Sequence, residues 1–207
     1  MANPRISIVI LGYNRKDDIR EVLNQLRRQS FTDFETIVVD NHSTDGSPEM
    51  IEKEFKKVQL LRLPQNKGIA SYNQGFSRAK GEIIVVLNND SYPAFNALEK
   101  IVNAFSHDAS LGIIQGKIIN INSNEIFYPA GKEADSQEVM EWHDFVVAGA
   151  AIRKKVLEKV GYFPNSVFLF GAEHDLGLRA VAAGYSIKYF PQIEFYHIYQ
   201  PAYLPSI

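Results

Sequence analysis

Three runs of strand length are apolar almost throughout: Ile6-Ser7-Ile8-Val9-Ile10-Leu11, Thr36-Ile37-Val38-Val39 and Ile83-Ile84-Val85-Val86-Leu87. A strand with one wet face alternates apolar and polar residues, so these runs belong to strands covered on both faces. Helical spacing fills the intervals. Ile19, Val22, Leu23 and Leu26 fall at i, i+3, i+4 and i+7, with Asp17 and Asp18 where acids favour a helix start. Ser47-Pro48 reads as an N-cap followed by proline at the first helical position. Val58 to Leu63 reads as a further strand, and Ile69, Tyr72, Phe76 and Ala79 mark the buried stripe of a helix that stops near Gly81. Strand–helix alternation of this kind predicts an α/β fold: a mixed, mainly parallel central sheet with helices on both faces and right-handed crossovers.

The second half is less regular. Leu111 to Gln115 and Lys117 to Ile121 read as strands, and Phe145 to Ile152 as a buried strand. Asn122 to Met140 is polar, holds Pro129 and Gly131, and reads as a long loop or irregular hairpin. A short helix is expected from about Lys154 to Val160, another from Glu173 to Ala183 ended by Gly184, and a last strand at Ser186 to Phe190. No repeat or linker divides the 207 residues, so a single domain is expected over 1–207.

Hydrophobic residues make up 45% and charged residues 22%, as in a soluble globular chain. A net charge of −2 supplies no basic field for nucleic acid. The absence of cysteine excludes disulfides and zinc–thiolate sites, and it fits a reducing compartment. Met1 to Arg5 is polar, unlike a secretory leader, and no window nears the roughly 18 apolar residues of a membrane span. The expectation is a cytoplasmic protein, at most peripheral on the inner face of a membrane.

Ligands of open α/β sheets bind beyond the carboxyl ends of the strands, and polar residues gather at four such ends. Tyr13 and Asn14 follow the first strand, Asp40 and Asn41 the second, Asn66-Lys67-Gly68 the third, and Asn88-Asn89-Asp90 the fourth. Each group has an ordinary reading. Asn tolerates left-handed turns, Asp40 can close a turn before Ser43 and Asp45, and Asp90 can enter a helix before Ser91 and Pro93. Together they form a surface able to take a base, a ribose and phosphates. The Gly-rich turn of a dinucleotide site is missing, since Leu11 to Asp18 holds only Gly12, and no P-loop occurs. Residues 1–92 are therefore expected to form a nucleotide-binding half, distinct from 93–207.

Three stretches resemble glycosyltransferase family 2, over Ile6 to about His197. Ser7 to Arg15 is similar to that family's opening strand and turn. Val38-Val39-Asp40-Asn41-His42-Ser43-Thr44-Asp45-Gly46-Ser47 is similar to its second signature. Asn66-Lys67-Gly68, Asn73 and Ala79-Lys80-Gly81-Glu82 match the approach to its metal motif. The resemblance implies the GT-A fold and an inverting transfer from a UDP- or dTDP-sugar to a hydroxyl of a glycan or lipid-linked acceptor in cell-surface polysaccharide synthesis. It implies that Asp40 reads the imide of uracil or thymine beside Tyr13, Asn14 and Asn41. Asn66, Gly68 and Asn73 would lie near the ribose and diphosphate, as would Asn88 and Asn89. Asp90, the last acid of a DxD motif, would ligate Mg²⁺ or Mn²⁺, an ion that keeps few protein ligands. His197 stands where many relatives place a metal ligand, although a histidine after a strand is more often structural.

Two departures from the family pattern stand out. Asn88 replaces the first acid of DxD, and Ala172-Glu173 replaces the usual Glu-Asp pair ahead of Asp175 and Arg179. Glu173 then takes the catalytic base position. Asp175 is a second catalytic candidate, or the i, i+4 partner of Arg179 on a helix that Glu173 and Asp175 both favour at its first turn. Trp142 stacks on an acceptor sugar or packs, and packing is the preferred reading. A catalytically inactive nucleotide-sugar-binding subunit, with Asn88 and Ala172 as its marks, is the main alternative. A sugar-phosphate nucleotidyltransferase is the other, although Gly12-Tyr13-Asn14-Arg15-Lys16 lacks its glycine- and arginine-rich loop. About ten residues follow His197, so acceptor recognition is expected to be minimal or supplied by a partner subunit.

Overall fold

Alternate side chains of the first strand part to opposite faces, as two-sided burial requires. In β1 (Ile6–Gly12), Ile6, Ile8 and Ile10 enter one apolar cluster and Val9 the other. Ile83, Val85 and Leu87 of β4 (Ile83–Asn88) join the first cluster, and Ile84 and Val86 the second. This is the computed structural model of the chain, and it describes residues 3–129 and 136–198. Gly131 and the segment Gln200 to Ile207, both drawn on in the sequence reading, lie outside the described residues.

The first half is built as the periodicity predicts. β1 pairs in parallel with β2 (Phe34–Asp40) and with β4, and β2 pairs in parallel with β3 (Gln59–Arg62). Helix α1 (Lys16–Leu26) buries Ile19, Val22, Leu23 and Leu26. Helix α2 (Ser47–Glu54) differs in its cap. Gly46 holds the N-cap position, and Ser47, inside the helix, gives both its N–H and its hydroxyl to Asp45 Oδ1. The third helix begins as a 3-10 turn, Gly68–Ser71, and continues as α3 (Tyr72–Arg78).

Among the described residues one continuous sheet runs through both halves of the chain in the order β3-β2-β1-β4, then β9 (Ala150–Arg153), β6 (Leu111–Asn120), β10 (Ser186–His197) and β5 (Ser91–Pro93), with two short strands beside this path. Its second half holds the departures. Helix α4 (Ala97–His107) has no counterpart in the sequence reading, although Leu98, Ile101 and Phe105 keep helical spacing and are buried. The two strands expected around Gly116 are one, β6 (Leu111–Asn120). Asn122 to Met140 is not a hairpin: β7 (Ile126–Tyr128) joins β6, and β8 (Met140–Trp142) joins the far strand β10 (Ser186–His197). β10 extends well past the expected Phe190. A register irregularity between Phe190 and Glu194 spans Pro191, which lacks the N–H a ladder needs, and pairing resumes beyond it.

The apolar run Phe145 to Ile152 is only partly a strand. β9 (Ala150–Arg153) pairs antiparallel with β4 and β6, while Phe145 to Gly149 forms a buried turn. Gln115, fully buried, replaces the missing ladder. Its Oε1 accepts from Val146 N at 2.8 Å, and its Nε2 donates to the Gly116 and Gly149 carbonyls at 2.7 and 3.3 Å. Buried backbone must be paired somewhere, and here one amide side chain does it. Hydrophobicity alone does not separate such a turn from a strand.

Helices α5 (Lys154–Val160) and α6 (Ala172–Ala182) cover the face that α3 also covers, and α1, α2 and α4 cover the other. Trp142 is half-buried and packs, its Nε1 donating to the Tyr128 hydroxyl at 3.2 Å. No helix among the described residues is long and apolar enough to cross a membrane.

Gly81, between α3 and β4, packs directly against the backbone of β1. A Cβ there would stand 2.5 Å from Ser7 N and 2.6 Å from the Ile6 carbonyl carbon, both backbone atoms. Gly81→Ala is therefore expected to destabilise the fold by about 1–3 kcal/mol, since backbone cannot rotate away as a side chain would. Urea or thermal unfolding measures it, and an unchanged midpoint would contradict this packing.

Candidate active site

The polar chain reversals at the carboxyl ends of β1 and β2 are laced together. Asn14, at φ 49°, donates its backbone N–H to Ser43 Oγ at 3.0 Å and accepts from Thr44 N on its Oδ1 at 2.7 Å. Lys16 N donates to Asp45 Oδ2 at 2.8 Å. Asp40 is 4% exposed, and its Oδ2 accepts from Ser43 N at 3.2 Å, so it closes the turn while sitting at the strand end. Tyr13 is left 47% exposed above this surface.

Asn41 ties the second strand end to the third. Its Oδ1 accepts from Lys67 N at 3.0 Å and from the Ser71 hydroxyl at 2.7 Å, and its Nδ2 donates to Asn66 Oδ1 at 2.7 Å. Asn66 Oδ1 also accepts from Gly68 N at 2.8 Å. Gly68 has φ +60°, and a Cβ on it would meet the Phe168 carbonyl oxygen at 1.8 Å. That oxygen accepts from Ile69 N at 2.8 Å, which docks the segment before α6 onto the 3-10 turn. Asn73 serves the same docking: its amide bonds both the N–H and the carbonyl of Phe163, at 3.1 and 2.8 Å. Asn41 and Asn73 thus spend their side chains on the chain itself.

At the end of β4 the Tyr72 hydroxyl lies 2.8 Å from the Leu87 carbonyl and 3.0 Å from Asn88 Oδ1. Asn89 Nδ2 reaches the Tyr13 carbonyl at 3.5 Å. Asp90 is held from two sides. Its Oδ2 receives Arg15 Nη1 at 2.7 Å, and Arg15 is also 3.2 Å from Asp18. Its Oδ1, buried and without a hydrogen bond among the described residues, faces His197 Nε2 at 3.3 Å. The strands force this meeting, because His197 pairs with Ser91 on β5 (Ser91–Pro93) and Ile198 N donates to the Asp90 carbonyl at 2.7 Å. Burial raises the Asp18 carboxyl, and the neighbouring Arg15 charge opposes that.

Two cis ligands of an octahedral ion at roughly 2.1 Å stand about 3.0 Å apart, so the Asp90–His197 spacing fits a shared divalent cation. No group of three or more His, Cys, Asp or Glu among the described residues is arranged to hold a metal. Such an ion would take two ligands from the protein and need oxygens from elsewhere, as Mg²⁺ commonly does with phosphates.

Glu173 and Asp175 stand in the first turn of α6 with different surroundings. Burial, with the Asp144 carboxylate adding to it, raises the Glu173 carboxyl above the ordinary glutamate value. Asp175 accepts from Arg179 Nε and Nη2 at 3.0 and 2.6 Å, and Arg179 reaches the Val160, Gly161 and Tyr162 carbonyls beyond α5. Asp175 therefore braces the α5–α6 corner. His174 is exposed, 3.6 Å from Asp144. Burial pushes the Tyr72 phenol well up, and the carboxylates of Glu173 and then Asp90 push it further.

The contacts of Arg15, Asp18, Tyr72 and Asp144, and the stacking of Phe127 on His197 with ring centroids 4.9 Å apart, escape the sequence reading. Arg15 stands in a quoted motif with no task assigned, and Tyr72 reads only as core. Nothing in the polar stretch around Phe127 singles that residue out.

The sequence model of Glycosyl transferase family 2 matches residues 7–161. Glycosyltransferase AglE of Haloferax volcanii is 28% identical over 203 residues, covering 90% of this chain and 64% of its own. S. aureus TarS 1–349 in complex with UDP superposes with a TM-score of 0.78 at 20% identity, over 95% of this chain and 61% of that one. The Pyrobaculum calidifontis mannosyltransferase PcManGT, in complex with GDP-Man and Mn²⁺, gives 0.75 at 20% identity, over 97% and 58%. The chain spans about two thirds or less of each of these proteins. Both solved structures share its mixed sheet with helices on both faces, the GT-A fold of glycosyltransferases. With the family model matched over most of its length, this chain belongs to glycosyl transferase family 2.

Proposed function

We propose that the protein is an inverting glycosyltransferase that moves a sugar from a UDP- or dTDP-sugar to a hydroxyl of a glycan or lipid-linked acceptor in cell-surface polysaccharide synthesis. It works in the cytoplasm, at most peripheral to the membrane. The observation that carries the reading is the meeting of Asp90 and His197 at 3.3 Å beyond the end of β4, on the edge that also carries the strand-end turns of Asp40 and Asn66. That is the carboxyl edge of the sheet, where such folds bind nucleotides. Support for the donor class comes from TarS, which holds UDP, and from PcManGT, which holds GDP-Man with Mn²⁺.

Asp40 accepts the imide N–H of the base, with Tyr13 over the nucleoside and Asn14 shaping the turn beneath it. Asn88 and Asn89 meet the ribose, and Asn66 and Gly68 border the diphosphate. Asn41 and Asn73 act indirectly, by holding the loops that carry these groups. Asp90 and His197 ligate Mg²⁺ or Mn²⁺, which when bound offsets negative charge growing on the departing diphosphate. Arg15 holds the Asp90 carboxylate in place through its Nη1 at 2.7 Å. Glu173 takes the proton of the acceptor hydroxyl as that oxygen attacks the anomeric carbon from the side opposite the diphosphate. A buried, raised carboxylate is a stronger base than an exposed one, which suits this step.

Thermal shift against UDP, dTDP and GDP, each with Mn²⁺ and with EDTA, tests the donor reading. Stabilisation by UDP or dTDP is expected, and a response to GDP alone would overturn the pyrimidine assignment. Glu173→Gln should leave UDP binding intact and slow transfer by about 10²–10⁴-fold, the usual contribution of a positioned base. Transfer by the unaltered enzyme should fall on the acid side through a pH above the ordinary glutamate value of 4.5, because the base must be ionised. Wild-type binding with no turnover on any donor would instead identify an inactive binding subunit. Asp90→Ala should reduce UDP affinity in Mn²⁺ to the level seen in EDTA. Calorimetry reads this, and an undiminished metal response would remove Asp90 from the site.

A further inference from the structure

We infer that Phe127 is a positioning residue for His197, an inference that rests on the metal reading above. The ring of Phe127 lies on the His197 imidazole with centroids 4.9 Å apart and planes within 4°. The two residues do not sit on neighbouring strands. Ile118 and Ile119 of β6 pair with Phe195 and Tyr196 of β10 along one edge, and with Tyr128 and Ile126 of β7 along the other. Phe127 therefore reaches across β6 to meet the imidazole.

A local irregularity makes that reach possible. The register of β7 on β6 passes from Tyr128–Ile118 to Ile126–Ile119, so Phe127 is the extra residue of a bulge. Bulges re-aim a side chain that regular pleating would send elsewhere. Phe127 is 47% exposed, so burial alone does not account for a phenylalanine at this place. What it gains is a flat partner, and what it gives is an imidazole fixed in plane. A histidine ring turns easily about its two side-chain torsions, and stacking removes that freedom while leaving the Nε2 edge toward Asp90 Oδ1 at 3.3 Å. Groups behind a metal ligand commonly set its orientation in this way. β7, within a stretch that is polar and aperiodic in sequence, thereby orients one member of the ligand pair.

Calorimetric titration of UDP with and without Mn²⁺ tests this on the full chain, with melting curves as a check on folding. Phe127→Ala should weaken Mn²⁺-dependent UDP binding about tenfold and leave binding in EDTA unchanged. Phe127→Tyr, which keeps the flat ring, should stay within about twofold of wild type. Phe127→Leu keeps apolar volume without the flat face, so it should behave like the alanine variant. If Phe127 acts through His197, the Phe127→Ala/His197→Ala double variant should bind no worse than His197→Ala alone. Losses that multiply in the double variant, or full binding by Phe127→Leu, would overturn the inference and leave the metal reading standing. Wild-type UDP affinity indifferent to Mn²⁺ would overturn both.

Discussion

Two-sided burial of the central strands is the constraint on which the rest of the structure depends. β1 and β4 send alternate side chains into separate apolar clusters, so neither face can be left to water. Helices must then cover both faces, and parallel pairing places every strand exit of the first half on one edge. All the polar reversals gather there for the same reason. β1 also has neighbours that leave to opposite sides, β2 and β4, and such a point in a sheet opens a crevice.

That crevice is held by polar contacts rather than by apolar packing. Asn14 joins the first two loops, Asn41 joins the second to the third, and Asn73 clamps the segment before α6. Asn41 and Asn73 engage both ends of their amides, and Asn14 engages its Oδ1 and its backbone N–H, so each loop is fixed by neutral groups. Charged groups appear deeper, where Arg15 lies between Asp18 and Asp90. Removing one member of such a group strands the others, which makes the arrangement specific even where its net contribution to stability is small. The second half of the chain then closes the crevice from the far side. β9 enters antiparallel between β4 and β6, and β10 beyond them returns His197 to Asp90.

Asp40, Asn88 and Asp90 stand out in the sequence alone because each lies at a strand end, a local signal. Glu173 as a base and His197 as a ligand come only through resemblance to a family. The sequence leaves Asp175 open between a second catalytic acid and the partner of Arg179, and the structure shows the Arg179 pairing. Glu173 and Asp175 share one helical turn, yet burial raises the first while Arg179 engages the second. The burial of Glu173 and the docking of Arg179 on the Val160 and Tyr162 carbonyls at the end of α5 separate them. The buried turn from Phe145 to Gly149 was misread as strand because its ladder partner is a side chain, Gln115, from a distant strand.

By itself the sequence determined the alternating half of the fold, since period and run length report which faces are buried before any contact is made. It also determined where polar chemistry gathers, because strand ends and helix starts are local events. The tertiary structure alone decided what depends on distant pairing: the antiparallel entry of β9, the continuation of β10 past Pro191, and the bulge that sets Phe127 on His197. Those are choices among registers of nearly equal local preference, and only the packing of the whole sheet distinguishes them.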